Sequence, residues 1–205
     1  QKVPGFVEAA EIVLIEASPT LRDIQSATLN GHSPRWVETP EDLDDQPLYL
    51  VANEFFDALP IRQFVRDKEG WRERLISHSN GALSFGLGPR LPQSALDDRL
   101  DDTADGDLIE DCPPLTGYMR PISHRIATFG GAALIIDYGD WRSLGDTLQA
   151  LQDHKPTTPL IAPGHCDLTA HVDFEKLALA AAPAKHSRVT PQGVFLERLG
   201  ITQRA

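Results

Sequence analysis

The sequence predicts an α/β fold built on a parallel sheet, because three short apolar runs each end at a polar side chain. The runs are residues 12–15, 48–52 and 132–136. None alternates between polar and apolar residues, which is typical of strands buried on both faces of a parallel sheet. Since ligands bind beyond the carboxyl ends of parallel strands, the sequence predicts one shared site at that edge.

The first run leads into Glu16 and then into the start of a helix. Ser18 is a predicted N-cap, Pro19 fits the first helical position, and Asn30-Gly31 ends the helix. In nucleotide-type cofactor sites, a carboxylate after a parallel strand accepts hydrogen bonds from the two ribose hydroxyls. Two interpretations of Glu16 are open, this one and a solvated loop carboxylate. Trp36, in a predicted short strand, is a candidate for stacking on an adenine, with burial in the core as the alternative.

The second run, 48–52, carries the largest set of polar groups, since Asn53, Glu54 and Asp57 follow it. A predicted β-hairpin comes next, with residues 67–70 (Asp-Lys-Glu-Gly) as its turn. Asn80-Gly81 is a second hairpin signal. An antiparallel insertion at this point would cover the carboxyl ends of the parallel strands as a substrate lid.

Three later segments give further structural predictions. Residues 89–114 are poor in apolar residues and rich in carboxylates, which predicts a mobile or partly helical surface segment. Residues 115–129 are a predicted helix, with Pro121 marking its true first turn. A short helix is predicted over residues 145–154.

Residues 167–174 alternate strictly between polar and apolar side chains, which predicts a half-buried strand with one polar face. The alternation places His171 beside two carboxylates, so it is a candidate general base or substrate contact, with a structural histidine as the alternative. Asp173 is a predicted N-cap for a helix over 174–182. A last helix is predicted over 194–199, closed by a glycine.

Neither group of potential metal ligands predicts a metal site. The carboxylates of residues 89–114 lack the ligand spacing of a calcium loop. The set of His165, Cys166 and His171 matches no standard zinc pattern.

The composition restricts the class of partner. The chain has 205 residues and a net charge of −11, which argues against nucleic acid and is compatible with a basic peptide or protein. Its two cysteines do not form a disulfide framework, which favours a reducing compartment. No apolar run approaches the length of a bilayer span, so no membrane partner is predicted. The first residue is Gln1 and the only methionine is Met119, which indicates part of a longer chain.

Five blocks of sequence also carry a family resemblance, and they occur in the family's order along nearly the whole chain. The blocks resemble the mitochondrial dysfunction protein A family, the complex I assembly-factor arginine methyltransferases and their bacterial relatives. They are ANEFFDALPIRQF (52–64), GGAALIIDYG (130–139), GDTLQA (145–150), DLTAHVDF (167–174) and PQGVFLERLGI (191–201).

The resemblance implies a Rossmann-like class I methyltransferase sheet with a β-hairpin insertion after the central strand, and S-adenosylmethionine as the cofactor. In such folds the acidic residue after the second strand binds the cofactor ribose, and Glu16 has that position here. Ser18 and Trp36 are the neighbouring candidates for cofactor contact. Family members in mitochondria methylate an arginine of a core complex I subunit, so the expected partner is an arginine-containing protein.

The resemblance also implies roles at the predicted common edge. An arginine guanidinium needs a planar carboxylate partner, for which Glu54 is the first choice and Asp57 the second. Asn53 is expected to bond either the cofactor or the acceptor nitrogen. His171, with Asp137 and Tyr138, is expected to form the far wall.

The family's glycine-rich loop and closing strands have no counterpart here, so residues 1–205 are expected to form a partial methyltransferase domain with an insertion over about 61–114. Cofactor binding is thus expected of the parent protein. Two other functions are open: a non-catalytic assembly factor that binds a basic client segment, and a methyltransferase with another acceptor. The expected compartment is the bacterial cytoplasm, with the mitochondrial matrix as the alternative.

Overall fold

The computed structural model describes residues 5–204. Its helices are α1 (Phe6–Ala9), α2 (Pro19–Thr28), α3 (Leu115–Phe129), α4 (Phe174–Ala180) and α5 (Gln192–Arg198). Its strands are β1 (Val13–Ile15), β2 (Arg35–Val37), β3 (Leu48–Asn53), β4 (Arg62–Asp67), β5 (Gly70–Ser79), β6 (Ala82–Leu91), β7 (Leu108–Asp111), β8 (Gly131–Ile136), β9 (Gly139–Asp140), β10 (Gln149–Gln152), β11 (Lys155–Thr157), β12 (Asp167–Thr169) and β13 (Val172–Asp173). No helix among these residues is long and apolar enough to cross a membrane.

The three strands predicted from apolar runs all form, and each pairs in parallel with another strand. β1 pairs with β2, and β3 pairs with β8 over six residues on each strand. A third parallel pair joins β9 to β13. Within residues 5–204, no strand pairing connects β1–β2 to β3–β8. The predicted α/β class is therefore confirmed.

One face of the β3–β8 pair packs against the main core, which α3 and α4 cover. Leu115, Met119 and Ile122 of α3 are each less than 5% exposed, and Val172 and Leu177 contact them. The inward side chains of β3 and β8 complete this cluster. The Asp173 carboxylate accepts the Lys176 N–H at 2.9 Å, so the predicted N-cap of α4 is confirmed.

The other face of this strand pair is open, so the prediction of burial on both faces was wrong. Tyr49 is 81% exposed and Val51 is 71% exposed, and Leu134 of the neighbouring strand is 40% exposed. The apolar run identifies the strand correctly because apolar β-formers favour an extended backbone. Burial depends instead on which elements pack against each face, and a run of five apolar residues does not encode that.

An antiparallel sheet of order β6-β5-β4-β7 follows β3 in the chain. Both predicted hairpin turns lie between paired strands, at residues 67–70 and at Asn80-Gly81. A second core of Phe64, Trp71, Leu96 and Ile109 lies against this sheet.

The prediction that residues 89–114 form a mobile or partly helical surface segment was wrong in placing the segment at the surface, although a 3-10 helix does form at Ser94–Arg99. Ile109 is fully buried, Leu96 is 2% exposed, and β7 adds an edge strand to the antiparallel sheet. Leu96 and Ile109 are among the few apolar residues of this segment, and they pack into the second core. The many carboxylates beside them made the segment polar overall, so the burial could not be recognised from composition.

Three further predictions of secondary structure need correction. Pro121 lies inside α3, because the helix packs into the core on both sides of it, which offsets a local cost of about 3 kcal/mol. Residues 145–154 contain β10 rather than a helix, since that strand pairs with both β11 and β12 and buries Ala150. The predicted strand over 167–174 is divided into β12 and β13, with Leu168 37% exposed.

Candidate functional site

The loop after β3 turns sharply at Glu54. The φ angle of Glu54 is 49°, in the left-handed region that a residue with a Cβ rarely adopts. Its backbone N–H donates to the Ile136 carbonyl at 2.9 Å, which extends the pairing with β8 by one residue. Asn53 and Glu54 are both exposed. Strained backbone of this kind concentrates at functional sites, so Glu54 is a marker of one.

Asp137, directly after β8, fixes this loop from the neighbouring strand. Its Oδ2 accepts the backbone N–H groups of Phe56 at 2.9 Å and Asp57 at 3.3 Å, and its Oδ1 accepts that of Tyr138. Burial raises the pKa of Asp137 above its ordinary value, although these N–H groups oppose the shift. The second and third strand ends therefore meet.

The Asp57 carboxyl group is the most unusual group at this edge. Asp57 is 5% exposed, and within residues 5–204 its Oδ1 has no hydrogen-bond partner. Burial raises the pKa of Asp57 to about 6, with further contributions from the negative charges of Asp137, Glu54 and Asp167. A buried carboxylate among other carboxylates is costly without a cation, so this arrangement favours a positively charged ligand.

The segment containing His171 lies directly against this loop. The Ala170 N–H donates to the Asp57 carbonyl at 3.0 Å, and the Val172 N–H donates to the Tyr138 carbonyl at 2.8 Å. Ala170 and Val172 are buried, while His171 between them is exposed. The His171 side chain is thus available to solvent or a ligand. Because the predicted strand is divided on either side of residues 170–171, the alternation that placed His171 beside two carboxylates is interrupted, and those surroundings stay a prediction.

Glu16 and Ser18, which follow β1, form a separate group with Trp36 of β2, and Gln25 of α2 joins them. The Glu16 carboxylate accepts the Ser18 N–H at 2.8 Å and the Gln25 side-chain amide at 3.2 Å. The Trp36 indole N–H donates to the Gln25 amide oxygen at 2.8 Å. Ser18 also caps α2, accepting the Leu21 N–H, as the sequence predicts. Within the described residues, no hydrogen bond or ion pair joins this group to the Asp57 group.

Glu110 of β7, which no sequence motif indicated, is a buried carboxylate that connects the antiparallel sheet to the site. Glu110 is 3% exposed and accepts the Gln63 side-chain amide at 2.7 Å. It also accepts the backbone N–H groups of Thr147 at 3.0 Å and Leu148 at 3.2 Å, and the Thr147 hydroxyl. The apolar pair Leu108-Ile109 before it was the available signal for a strand.

Metal binding receives no geometric support in the described part of the chain. No group of three or more histidine, cysteine, aspartate or glutamate side chains there has the arrangement of a metal site. Cys112 and Cys166 are free thiols.

Comparison with known proteins identifies the family. Residues 1–192 match the family described as "Putative S-adenosyl-L-methionine-dependent methyltransferase". The chain belongs to this family. The resemblance inferred from the five sequence blocks is confirmed.

Relatives from several animals carry the name "Protein arginine methyltransferase NDUFAF7, mitochondrial". The human protein is 35% identical over 218 residues, covering 93% of this chain and 49% of its own length. The Xenopus tropicalis protein is 34% identical over 217 residues, covering 93% of this chain and 50% of its own length. The chain thus spans about half the length of the curated relatives it matches.

A crystal structure of a Burkholderia thailandensis protein bound to S-adenosyl-homocysteine is also similar. Its TM-score is 0.68 at 27% identity, covering 83% of this chain and 47% of that protein. The mixed α/β fold is therefore shared with a protein that binds the demethylated form of the cofactor.

Proposed function

We propose that this chain is part of a protein arginine methyltransferase that uses S-adenosylmethionine. The observation that carries the proposal is the buried Asp57 carboxylate, whose Oδ1 has no hydrogen-bond partner within residues 5–204 and which has three other carboxylates around it. An arginine guanidinium supplies the positive charge and the N–H donors that this arrangement lacks. Membership of a methyltransferase family supports the reaction type.

The residues after β1, together with Trp36 of β2, fit the ribose end of S-adenosylmethionine. Each oxygen of Glu16 accepts one hydrogen bond within the chain, so lone pairs remain for two ribose hydroxyls. Ser18 and Gln25 hold the carboxylate in place, and Trp36 offers a half-buried ring beside it. The bound cofactor supplies an electrophilic methyl carbon on a sulfonium sulfur.

Four residues of the Asp57 edge have proposed roles in methyl transfer. Glu54 pairs with the acceptor guanidinium and keeps its charge away from the attacking nitrogen, while Asn53 orients that nitrogen. The nitrogen–methyl bond forms as the sulfur–methyl bond breaks, and the nitrogen loses a proton. Asp57, with its pKa raised to about 6, is the first candidate to accept that proton, and His171 is the second.

The antiparallel sheet is proposed to be an insertion, over about residues 61–114, in a Rossmann-like class I sheet. Residues 1–205 would then be part of one methyltransferase domain whose glycine-rich loop lies outside this chain. The bonds from Glu110 to residues 147 and 148 support a position of the insertion beside the substrate edge.

The proposed acceptor is an arginine-containing protein, in keeping with the names of the curated relatives. A complex I subunit is the specific candidate. The relatives are named as mitochondrial, which favours the mitochondrial matrix, while the Burkholderia structure keeps the bacterial cytoplasm as the other proposed compartment.

The decisive experiment is calorimetric titration of S-adenosylmethionine into the full-length protein and into two variants. Glu16→Ala should weaken binding at least tenfold because the ribose loses its acceptor. Glu38→Ala is the matched control, since Glu38 also follows a parallel strand but its side chain is 71% exposed, and it should bind like the wild type. No binding to a folded full-length protein would overturn the methyltransferase proposal and leave the non-catalytic assembly factor.

A further inference from the structure

Three consecutive backbone N–H groups connect the His171 segment to three different parts of the molecule. Ala170 donates to the Asp57 carbonyl, and Val172 donates to the Tyr138 carbonyl. The middle N–H, that of His171, donates to the Thr147 hydroxyl oxygen at 2.8 Å. Two of the three bonds are made to backbone and would survive most substitutions. The third depends on the side chain of Thr147.

Glu110 determines the direction of the Thr147 hydroxyl group. A threonine hydroxyl has one proton and can donate or accept, so its role is fixed by its neighbours. The Glu110 carboxylate has no proton to offer when ionised, so the Thr147 hydroxyl donates to it. The Thr147 oxygen is then free to accept from His171. The backbone of Thr147 is fixed as well, because its own N–H donates to Glu110.

The loop containing Thr147 is also anchored at its beginning. The Ser143 N–H donates to the buried Asp173 carboxylate at 3.1 Å, and the Ser143 hydroxyl accepts the Glu110 N–H at 3.0 Å. The Arg99 guanidinium donates to the Ser143 carbonyl at 2.8 Å. These hydrogen bonds restrain the loop that contains Thr147. The bond from the His171 N–H to the Thr147 hydroxyl then restrains the His171 segment.

We propose that Thr147, oriented by Glu110, is a positioning residue that holds His171 and the loop containing Asp57 in the arrangement needed for methyl transfer. The inference rests on the proposed function for its catalytic meaning. The bond that it invokes can be tested without any activity.

The test compares Thr147→Ala with Thr147→Ser in the full-length protein. Serine keeps the hydroxyl and alanine removes it, so the pair differs in one oxygen atom. Hydrogen exchange at the His171 amide should accelerate at least tenfold in Thr147→Ala and stay within twofold of wild type in Thr147→Ser. Unchanged protection in Thr147→Ala would overturn the proposed bond.

The kinetic arm measures methylarginine formed in an extract of cells that lack the protein, with methyl-labelled S-adenosylmethionine. Thr147→Ala should lower the rate at saturating cofactor about tenfold, leave the cofactor KM unchanged, and be rescued by Thr147→Ser. Equal rates in both variants would overturn the positioning role. So would a Thr147→Ala protein that unfolds where Thr147→Ser is folded, because the hydroxyl would then serve stability. No methylarginine from the wild type would instead count against the proposed function, while the exchange result stands.

Discussion

Glu16 and Asp57 both follow an apolar parallel strand, yet their carboxylates lie in opposite electrostatic surroundings. Glu16 is half-buried, and both of its oxygens accept hydrogen bonds from Ser18 and Gln25. Asp57 is buried, one of its oxygens has no partner within the described residues, and its nearest charges are negative.

The difference indicates two kinds of ligand group. The Glu16 carboxylate accepts hydrogen bonds from uncharged N–H groups, and its remaining lone pairs suit further uncharged donors such as hydroxyl groups. A buried carboxylate repelled by its neighbours is stabilised most by a cation. The same sequence pattern, a strand followed by an acidic residue, thus occurs at two places that favour different ligand groups. The difference comes from the residues that surround each carboxylate.

The largest expected effect comes from removing the negative charge of Glu54 or Asp57, the two carboxylates proposed to face the acceptor guanidinium. Glu54→Gln and Asp57→Asn should each lower the rate of methyl transfer by about 100-fold or more, because a paired guanidinium charge is worth about 3 kcal/mol or more. Binding of S-adenosylmethionine should stay nearly intact. Rates and cofactor affinity are measured on the same preparations, with Glu69→Gln, an exposed residue in the turn of residues 67–70, as the control. Loss of cofactor binding in Glu54→Gln would contradict the assigned role.

The second prediction concerns stability without any ligand. Because the folded pKa of Asp57 is raised to about 6, the folded protein holds this proton more tightly than the unfolded chain. Its contribution to stability is complete below about pH 4 and is lost as the pH rises through about 6, for a loss of about 3 kcal/mol. Asp57→Asn should abolish this loss and be more stable than wild type at pH 7 in urea unfolding.

Asp146→Asn provides a control of opposite sign. Burial alone would raise the pKa of Asp146, but hydrogen bonds from Arg74 and Gln63 and the Arg74 charge lower it overall. Its contribution is therefore present at neutral pH and is lost as the pH falls through the lowered pKa. Asp146→Asn should destabilise the protein at pH 7 and make no difference in strong acid. The same sign for both variants would refute the contrast.

The third prediction follows from the need for an ionised Asp57 beside a guanidinium. The value of kcat/KM for the acceptor should rise about tenfold between pH 5 and pH 7, with an apparent pKa near 6. The measurement is a pH–rate profile at saturating cofactor. Asp57→Asn should remove this rise of kcat/KM with pH, whereas Glu16→Gln should retain it. A rise that persists in Asp57→Asn would assign the titration to another group.

Much of this site could be predicted from local sequence, because each part depends on neighbouring residues. The Ser18 cap, the strand before Glu54 and the helix of residues 115–129 all follow from patterns within a few positions. The burial of Glu110 could not be predicted in this way. Its partners Gln63 and Thr147 lie 47 and 37 positions away, and only the tertiary fold brings them together.

The open face of β3 is a second case in which burial could not be predicted from local sequence. The apolar run predicts the strand, but the exposure of Tyr49 and Val51 depends on elements that pack from elsewhere in the chain. The asymmetry between Glu16 and Asp57 is likewise a property of surroundings. Strand ends can be found from sequence, whereas the electrostatic character of each end cannot.

The smallest expected effect separates backbone strain from side-chain chemistry at Glu54. Glu54 and Lys68 both have left-handed φ angles, 49° and 56°, and glycine adopts these without strain. Glu54→Gly and Lys68→Gly should each change the free energy of unfolding by no more than about 1 kcal/mol, in the stabilising direction where strain relief exceeds the added chain entropy. Only Glu54→Gly should abolish transfer. Retained transfer in Glu54→Gly would show that the Glu54 carboxylate is not what the reaction needs.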